Sequence, residues 1–267
     1  MKLFKNYLLN INIILLLLIV LGAILAHIIA PYDFNEMHLD DTWQKPSGRF
    51  LLGTDKLGRD IFSRLLFGGR ISLFIAFIVE VVAFPIGSVL GYISGTKSGF
   101  AISILNRIME VLFSFPTIIL ALTLSGIVGV GLNSIVVSIA LAEIPVYFRH
   151  VRTLVLKIKN EPFIEVLTTL GIEDRFIFKD HVLLHLMPPL IPKIIFNFAT
   201  TIIFESTLSF IGIGIQPPFP SWGNMIRTGL PYIKSYPALV SSSSAILAIT
   251  ILILFGLSEE LEKKLMV

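Results

Sequence analysis

Six stretches of this chain are almost wholly apolar, at residues 8–30, 71–95, 108–130, 132–148, 190–213 and 238–257. A helix needs about 20 apolar residues to cross the hydrocarbon core of a bilayer, so these runs predict about six membrane spans. Lipid offers the backbone no hydrogen-bond partner, and only helices or closed barrels satisfy themselves there. Barrel strands alternate apolar and polar residues about ten at a time; these runs are continuous, and the fold class is an all-α membrane protein. The fourth run is the marginal one, with 17 residues and with Glu143 and Pro145 near its end, and is expected to be partly interfacial. Lys2 and Lys5 precede the first run as in a signal peptide. A signal-peptide core is only about 7–15 residues, whereas this run has 23, which predicts a retained span.

The polar segments between the runs divide the chain into a tail with the first span (1–30), a charged external loop (31–70) and a core (71–267). Within the core lie a long loop, 149–187, and a Pro-rich external loop, 214–237. With the N-terminus in the cytoplasm, twelve Lys and Arg residues fall inside and eight outside, while Lys193 lies within a run. The positive-inside rule therefore favours an N-inside, multi-pass protein of the cytoplasmic membrane. No internal repeat is visible.

Composition agrees. Only 15% of the residues are charged and mean hydropathy is +0.87, against about 25% charged in soluble domains. That excludes a soluble enzyme, a disordered tail and a collagen-like fibre. The absence of cysteine excludes disulfides, thiolate metal sites and cysteine catalysis. A net charge of +3, dispersed along the chain, gives no support to a nucleic-acid partner, and the natural surroundings are membrane lipid.

Enzymatic constellations are missing. Gly95-Thr96-Lys97-Ser98 is the string nearest to a phosphate loop, but it lacks the earlier glycine and the strand before it. The chain is therefore expected not to hydrolyse ATP. No Gly-x-Ser-x-Gly serine site occurs, and His181 and His185 have zincin spacing without the glutamate. Two side chains do not close a metal site, so no catalytic residue, metal or cofactor is expected on this chain.

Residues 160–187 are unusual for a loop between spans. Asn160, Glu161 and Pro162 can open a helix, in which Phe163, Val166, Leu167 and Leu170 recur at helical spacing. Gly171 interrupts it. Glu173 and Asp174 then suit the first turn of a second helix. Two short helices joined at a glycine form a knob, which either lies on lipid or docks its apolar residues into a groove on a soluble partner. Charges at membrane depth mark a path or a pair: Glu80, Arg107, Glu110, Glu143, Lys193 and Glu205 lie in or near runs. Arg107 and Glu110, three apart, are expected to pair on one helix face. Pro85 and Pro116 are expected to kink their spans.

Three motifs carry a family resemblance. Glu165-Val166-Leu167-Thr168-Thr169-Leu170-Gly171, with His181-Val182-Leu183 ten residues on, resembles the Glu-Ala-Ala loop by which ABC importer permeases couple to their ATPases. Leu52-Gly53-Thr54-Asp55-Lys56-Leu57-Gly58-Arg59-Asp60, with Ser63-Arg64 following, is similar to the first external loop of the second permease subunit of dipeptide, oligopeptide and nickel importers. Leu208-Ser209-Phe210-Ile211-Gly212-Ile213-Gly214-Ile215-Gln216-Pro217-Pro218, with Pro220-Ser221-Trp222-Gly223, resembles that family's signature at the end of the fifth span. The resemblance covers residues 50–237 or so. Val166 and Leu167 replace the two alanines, Leu184 replaces a proline, and residues 255–260 lack the family's Gly-Asp and Arg-Asp pairs.

The resemblance implies a type I importer permease fold, with a cytoplasmic two-helix coupling loop. It implies that Phe163, Glu165, Leu167, Leu170, Gly171 and His181 couple to the ATPases, and that Glu205, Ser206 and Ser209 line the translocation path. It further implies a homologous permease partner, two cytoplasmic ATPase subunits that bind ATP and Mg, and an extracellular or periplasmic substrate-binding protein. The expected function is peptide import by alternating access. A nickel or metal-chelate importer is the alternative within the family. Outside it stands a self-sufficient secondary transporter, a class that usually shows repeated halves.

Overall fold

In the computed structural model of this chain, residues 2–172, 176 and 183–265 are described. Helix α1 (Lys2–Ile24) and the short α2 (Ala26–Ile29) form the N-terminal arm, after which the chain turns extended at Ala30. Residues 31–60 fold into an irregular cap containing a 3₁₀ turn (Leu39–Asp41) and a single bridge between Thr54 and Asp60. Asp60 starts α3 (Ile61–Thr96), its carboxylate accepting from the Ser63 amide at 2.7 Å. This is an ordinary N-cap, placed ten residues before the apolar run. At 1.5 Å per residue α3 is ~54 Å long, so its first turns stand beyond a ~30 Å hydrocarbon core.

Pro116 was expected to kink the third span, and the structure breaks it. Helices α4 (Phe100–Ser114) and α5 (Thr117–Val128) meet at 97°. Phe115 is extended at the junction (φ −85°, ψ 140°), as the proline ring demands of the residue before it. Pro85, by contrast, lies inside an unbroken α3.

The fourth span is also corrected. Helix α6 (Leu132–Lys159) runs 28 residues and carries Glu143 and Pro145 in its buried interior. Its most apolar window is 67% buried, against 33% for α3, so the expected marginal span is the central helix. The reason is packing. Without a hydrophobic drive between helices in lipid, close contact through small residues holds spans together. Gly87, Gly91 and Gly95 line the face of α3 that meets α6; a Cβ on Gly91 would sit 2.5 Å from the Phe148 carbonyl oxygen. The small and hydroxylic residues that permit such contact lower the hydropathy of α6.

Beyond α6 come α7 (Pro162–Thr169) and α8 (Leu183–Ile211). The Pro-rich segment read as an external loop holds α9 (Trp222–Gly229), which folds back into the bundle with Trp222, Asn224 and Met225 buried. Trp222 packs against Gly69 of α3, and its indole donates to the Leu65 carbonyl at 3.1 Å. Trp43 of the cap lies against Tyr232 and Tyr236, each with a centroid separation of 4.6 Å. Cap and re-entrant segment therefore form one lid over that end of the bundle. Helix α10 (Ala238–Leu265) closes the fold.

Among the described residues, α3, α6, α8 and α10 are each long and apolar enough to cross a membrane. The α4–α5 pair, bent by 97°, is either one broken span, which would make a fifth, or a re-entrant loop, and residues Leu9–Ile24 form a shorter apolar helix. The main core joins α3, α5, α6 and α8 through Ile75, Val79, Ala121, Ile139, Tyr147 and Leu208.

Candidate functional site

The first half of the knob is a clasp. Helix α7 begins at Pro162, one residue after Glu161, whose carbonyl accepts from the Ile164 amide at 3.0 Å. Asn160, expected to open it, instead terminates α6. Ile164 is buried with Val151, Val155, Leu186 and Leu190, and Phe163 and Leu167 pack on the same cluster. The Phe163 ring stacks on His185 at 5.2 Å. Thus α7 is riveted to both α6 and α8. Val166 and Leu170 point the other way and are 57% and 71% exposed.

Gly171 ends this helix with φ +75°. The Ile172 amide reaches back to the Leu167 carbonyl at 3.2 Å, the six-to-one bond of a left-handed C-terminal turn. Nothing lies within 4 Å of a Cβ placed on Gly171, so the backbone turn, not crowding, requires glycine. The side chain of Glu165 lies outside what is described, as do His181 and the second helix expected around residues 173–182.

Glu205, Ser206 and Ser209 come together near the far end of α8. The carboxylate of Glu205, fully enclosed, accepts from Ser209 Oγ at 2.8 Å and Ser206 Oγ at 3.3 Å. Ser72 on α3 and Ser221 before α9 lie close beside it. Ser209 Oγ in turn accepts from the Ile215 amide at 3.1 Å. In this conformation the group sits where α3, α8 and the re-entrant α9 meet, with Gly223 of α9 packed closely on the Ser206 carbonyl. Ser206 also borders a small apolar groove of about 200 Å³ with Phe210, Ile226 and Leu247.

The motif at residues 52–64 is a folded unit. Asp55 accepts from the amides of Leu57 and Arg59 and from Arg59 Nε, and pairs with Arg59 at 2.7 Å and Arg64 at 3.7 Å. All three side chains are buried. Arg64 also donates to the Phe34 carbonyl at 2.8 Å, which ties the start of the cap to α3.

Of the other membrane-depth charges, Arg107 and Glu110 pair as expected, at 3.7 Å. Glu80 is anchored across three helices. Its carboxylate accepts from Tyr147 Oη of α6 and, at 3.0 Å, from Thr201 Oγ1 of α8. Glu143 is buried nearby on α6. Sequence reading flagged these glutamates but missed their hydroxyl partners, because Tyr147 and Thr201 carry no distinctive signal within apolar runs. Among the described residues no group of three or more His, Asp or Glu is placed to hold a metal ion.

The chain matches the family described as "Binding-protein-dependent transport system inner membrane component" over residues 87–266. It is 32% identical to the dipeptide transport system permease protein DppC of Alkalihalophilus pseudofirmus, over 87% of this chain and 77% of that one. It is 35% identical to DppC of Bacillus subtilis, covering 88% and 73%. To the glutathione transport system permease protein GsiD of Pectobacterium atrosepticum it is 36% identical, covering 84% and 76%. A structure of the MetNI methionine ABC transporter, inward facing, superposes with a TM-score of 0.58 at 20% identity, over 75% of this chain and 95% of that one. That likeness concerns the fold alone.

Proposed function

Since this chain belongs to the inner membrane components of binding-protein-dependent transport systems, a family of ABC permeases and not of enzymes, we propose that it carries small peptides inward. The observation that carries the substrate class is the set of relatives, which are named for dipeptide, di/tripeptide and glutathione transport. The proposed assembly contains this chain, a homologous permease, two ATPases that bind ATP and Mg on the cytoplasmic side, and an external substrate-binding protein. The N-terminus faces the cytoplasm in this reading. The basic ends of α6 and α10, with Lys157, Lys159, Lys263 and Lys264 in their last turns, support that orientation.

Coupling follows from how α7 is mounted. Its outward face, Val166 and Leu170, is the proposed contact with an ATPase. Its inward face, Phe163, Ile164 and Leu167, grips α6 and α8. An ATPase that closes on ATP displaces α7, and the displacement passes to both helices. Helix α6 carries α3 with it, because their backbones touch along the glycine seam. Helix α8 carries α9 through the close packing of Gly223 on the Ser206 carbonyl. ATP drives the cycle only if the nucleotide states differ in their contacts with the permease, and α7 is where this chain offers such contacts. Glu165 and His181 belong to the same proposed contact.

Proteoliposomes containing the complete complex, with ATP on the ATPase side and the cognate binding protein on the other, test the substrate class. Labelled dipeptide is expected to accumulate. Accumulation of a non-peptide cargo with no dipeptide uptake would remove the peptide reading.

A further inference from the structure

Helices α4 and α6 flank a partly open cavity of about 520 Å³ near the end of the bundle that carries α7. This lies within the range of small-molecule sites, about 300–1,000 Å³. Its α6 wall presents Arg149 and Arg152, three apart and therefore on one helix face. Neither arginine has an ion pair among the described residues. Arg149 lies over the Phe113 ring, Cζ 4.3 Å from its centroid, and this stacking orients the guanidinium. Arg152 Nε is shielded from solvent and has no hydrogen-bond partner. A basic side chain at a membrane boundary ordinarily extends its polar end to water. Here a donor is instead held dry and unsatisfied beside a second cation, an arrangement that an oxyanion relieves.

The opposite wall differs in sign. Glu110 of α4 lines the same cavity, held by Arg107 only in an exposed pair, which is readily exchanged for another cation. Met109 and Phe148 supply apolar surface between the walls. Two guanidiniums facing one carboxylate across apolar surface match a short zwitterion with apolar side chains. An isolated phosphate needs no Glu110.

We propose that this cavity is a peptide-terminus site on the translocation route, where Arg149 and Arg152 receive the C-terminal carboxylate and Glu110 the N-terminal ammonium. The assignment rests on the peptide reading above and adds a place and a polarity to it.

The chain has no cysteine, so a single reporter, Thr153→Cys at the cavity rim, can be followed on this subunit. The nucleotide-free complex in nanodiscs is treated with a maleimide, with and without alanyl-phenylalanine. The free dipeptide is expected to slow modification at least fivefold. Its C-terminal amide and its N-acetyl form should slow it less than twofold, and Arg152→Gln should abolish protection. Equal protection by free acid and amide, or none in a complex that transports the dipeptide, overturns the site and leaves peptide import standing. A modification rate set by phosphatidylglycerol content instead of peptide makes it a lipid-headgroup site and also overturns it. Absence of dipeptide transport by the intact complex removes the peptide reading itself, and this site with it.

Discussion

Asp55 holds Arg59 and Arg64 inside the cap, and removing its carboxylate leaves two buried cations without their counter-charge. Breaking a buried pair on one side costs about 3–5 kcal/mol. Asp55→Ala is therefore expected to lower the thermal midpoint of the purified complex clearly, and an unchanged melt would contradict the buried-pair account. Gly91 acts through the absence of a side chain. Gly91→Val pushes a Cβ onto the Phe148 carbonyl, where backbone cannot yield as a flexible side chain can, and overpacking costs about 1–3 kcal/mol or more. Gly126→Ala in α5 meets nothing within 4 Å and is expected to be neutral or slightly stabilising. A thermal-shift series should separate the two glycines. Neither the α3 seam nor the buried ion pair was legible, since Gly87, Gly91 and Gly95 lie unmarked in an apolar run and nothing in Leu52–Asp60 taken as a string says that Asp55 turns inward.

At the scale of elements, most helices were legible because a continuous apolar run in lipid has no other solution. The exceptions have physical causes. Helix α6 reads as marginal because its serines and alanines, suited to close packing, depress hydropathy. Helix α9 is invisible in a segment rich in Pro and Gly; it exists because Ser221 caps it and the bundle buries its tryptophan. Glu205 sits buried against this helix, and leaving its serine donors without a buried acceptor costs about 1–3 kcal/mol. Glu205→Ala is thus expected to loosen α9 and red-shift the emission of Trp222 in a Trp43→Phe background; an unaltered spectrum would remove its role in holding α9. Gly171→Val forces a β-branched residue into a left-handed turn, at roughly 1–2 kcal/mol. That is too little to unfold the bundle, and membrane levels should stay normal while uptake falls.

For the whole molecule, the first short helix of the loop and the glycine that ends it were legible, but not which side of that helix faced the bundle. The inward Phe163 and Leu167 and the outward Val166 and Leu170 share one apolar periodicity, and only the α6–α8 cluster divides them. Orientation is open to direct labelling. A cysteine at Ser47, exposed in the cap, should react with an impermeant thiol reagent from outside, and one at Lys159 only after the membrane is opened. The reverse pattern would invert the topology. Helix α7 is the proposed point at which ATPase motion enters this chain. Burial of one leucine contributes about 1.5–3 kcal/mol, roughly ten- to a hundredfold in affinity. The measurement is therefore the amount of ATPase that copurifies with Leu170→Asp permease, normalised to permease inserted in the membrane. The expected result is a loss of at least tenfold with normal insertion, and wild-type recovery of the ATPases would contradict the coupling role of α7.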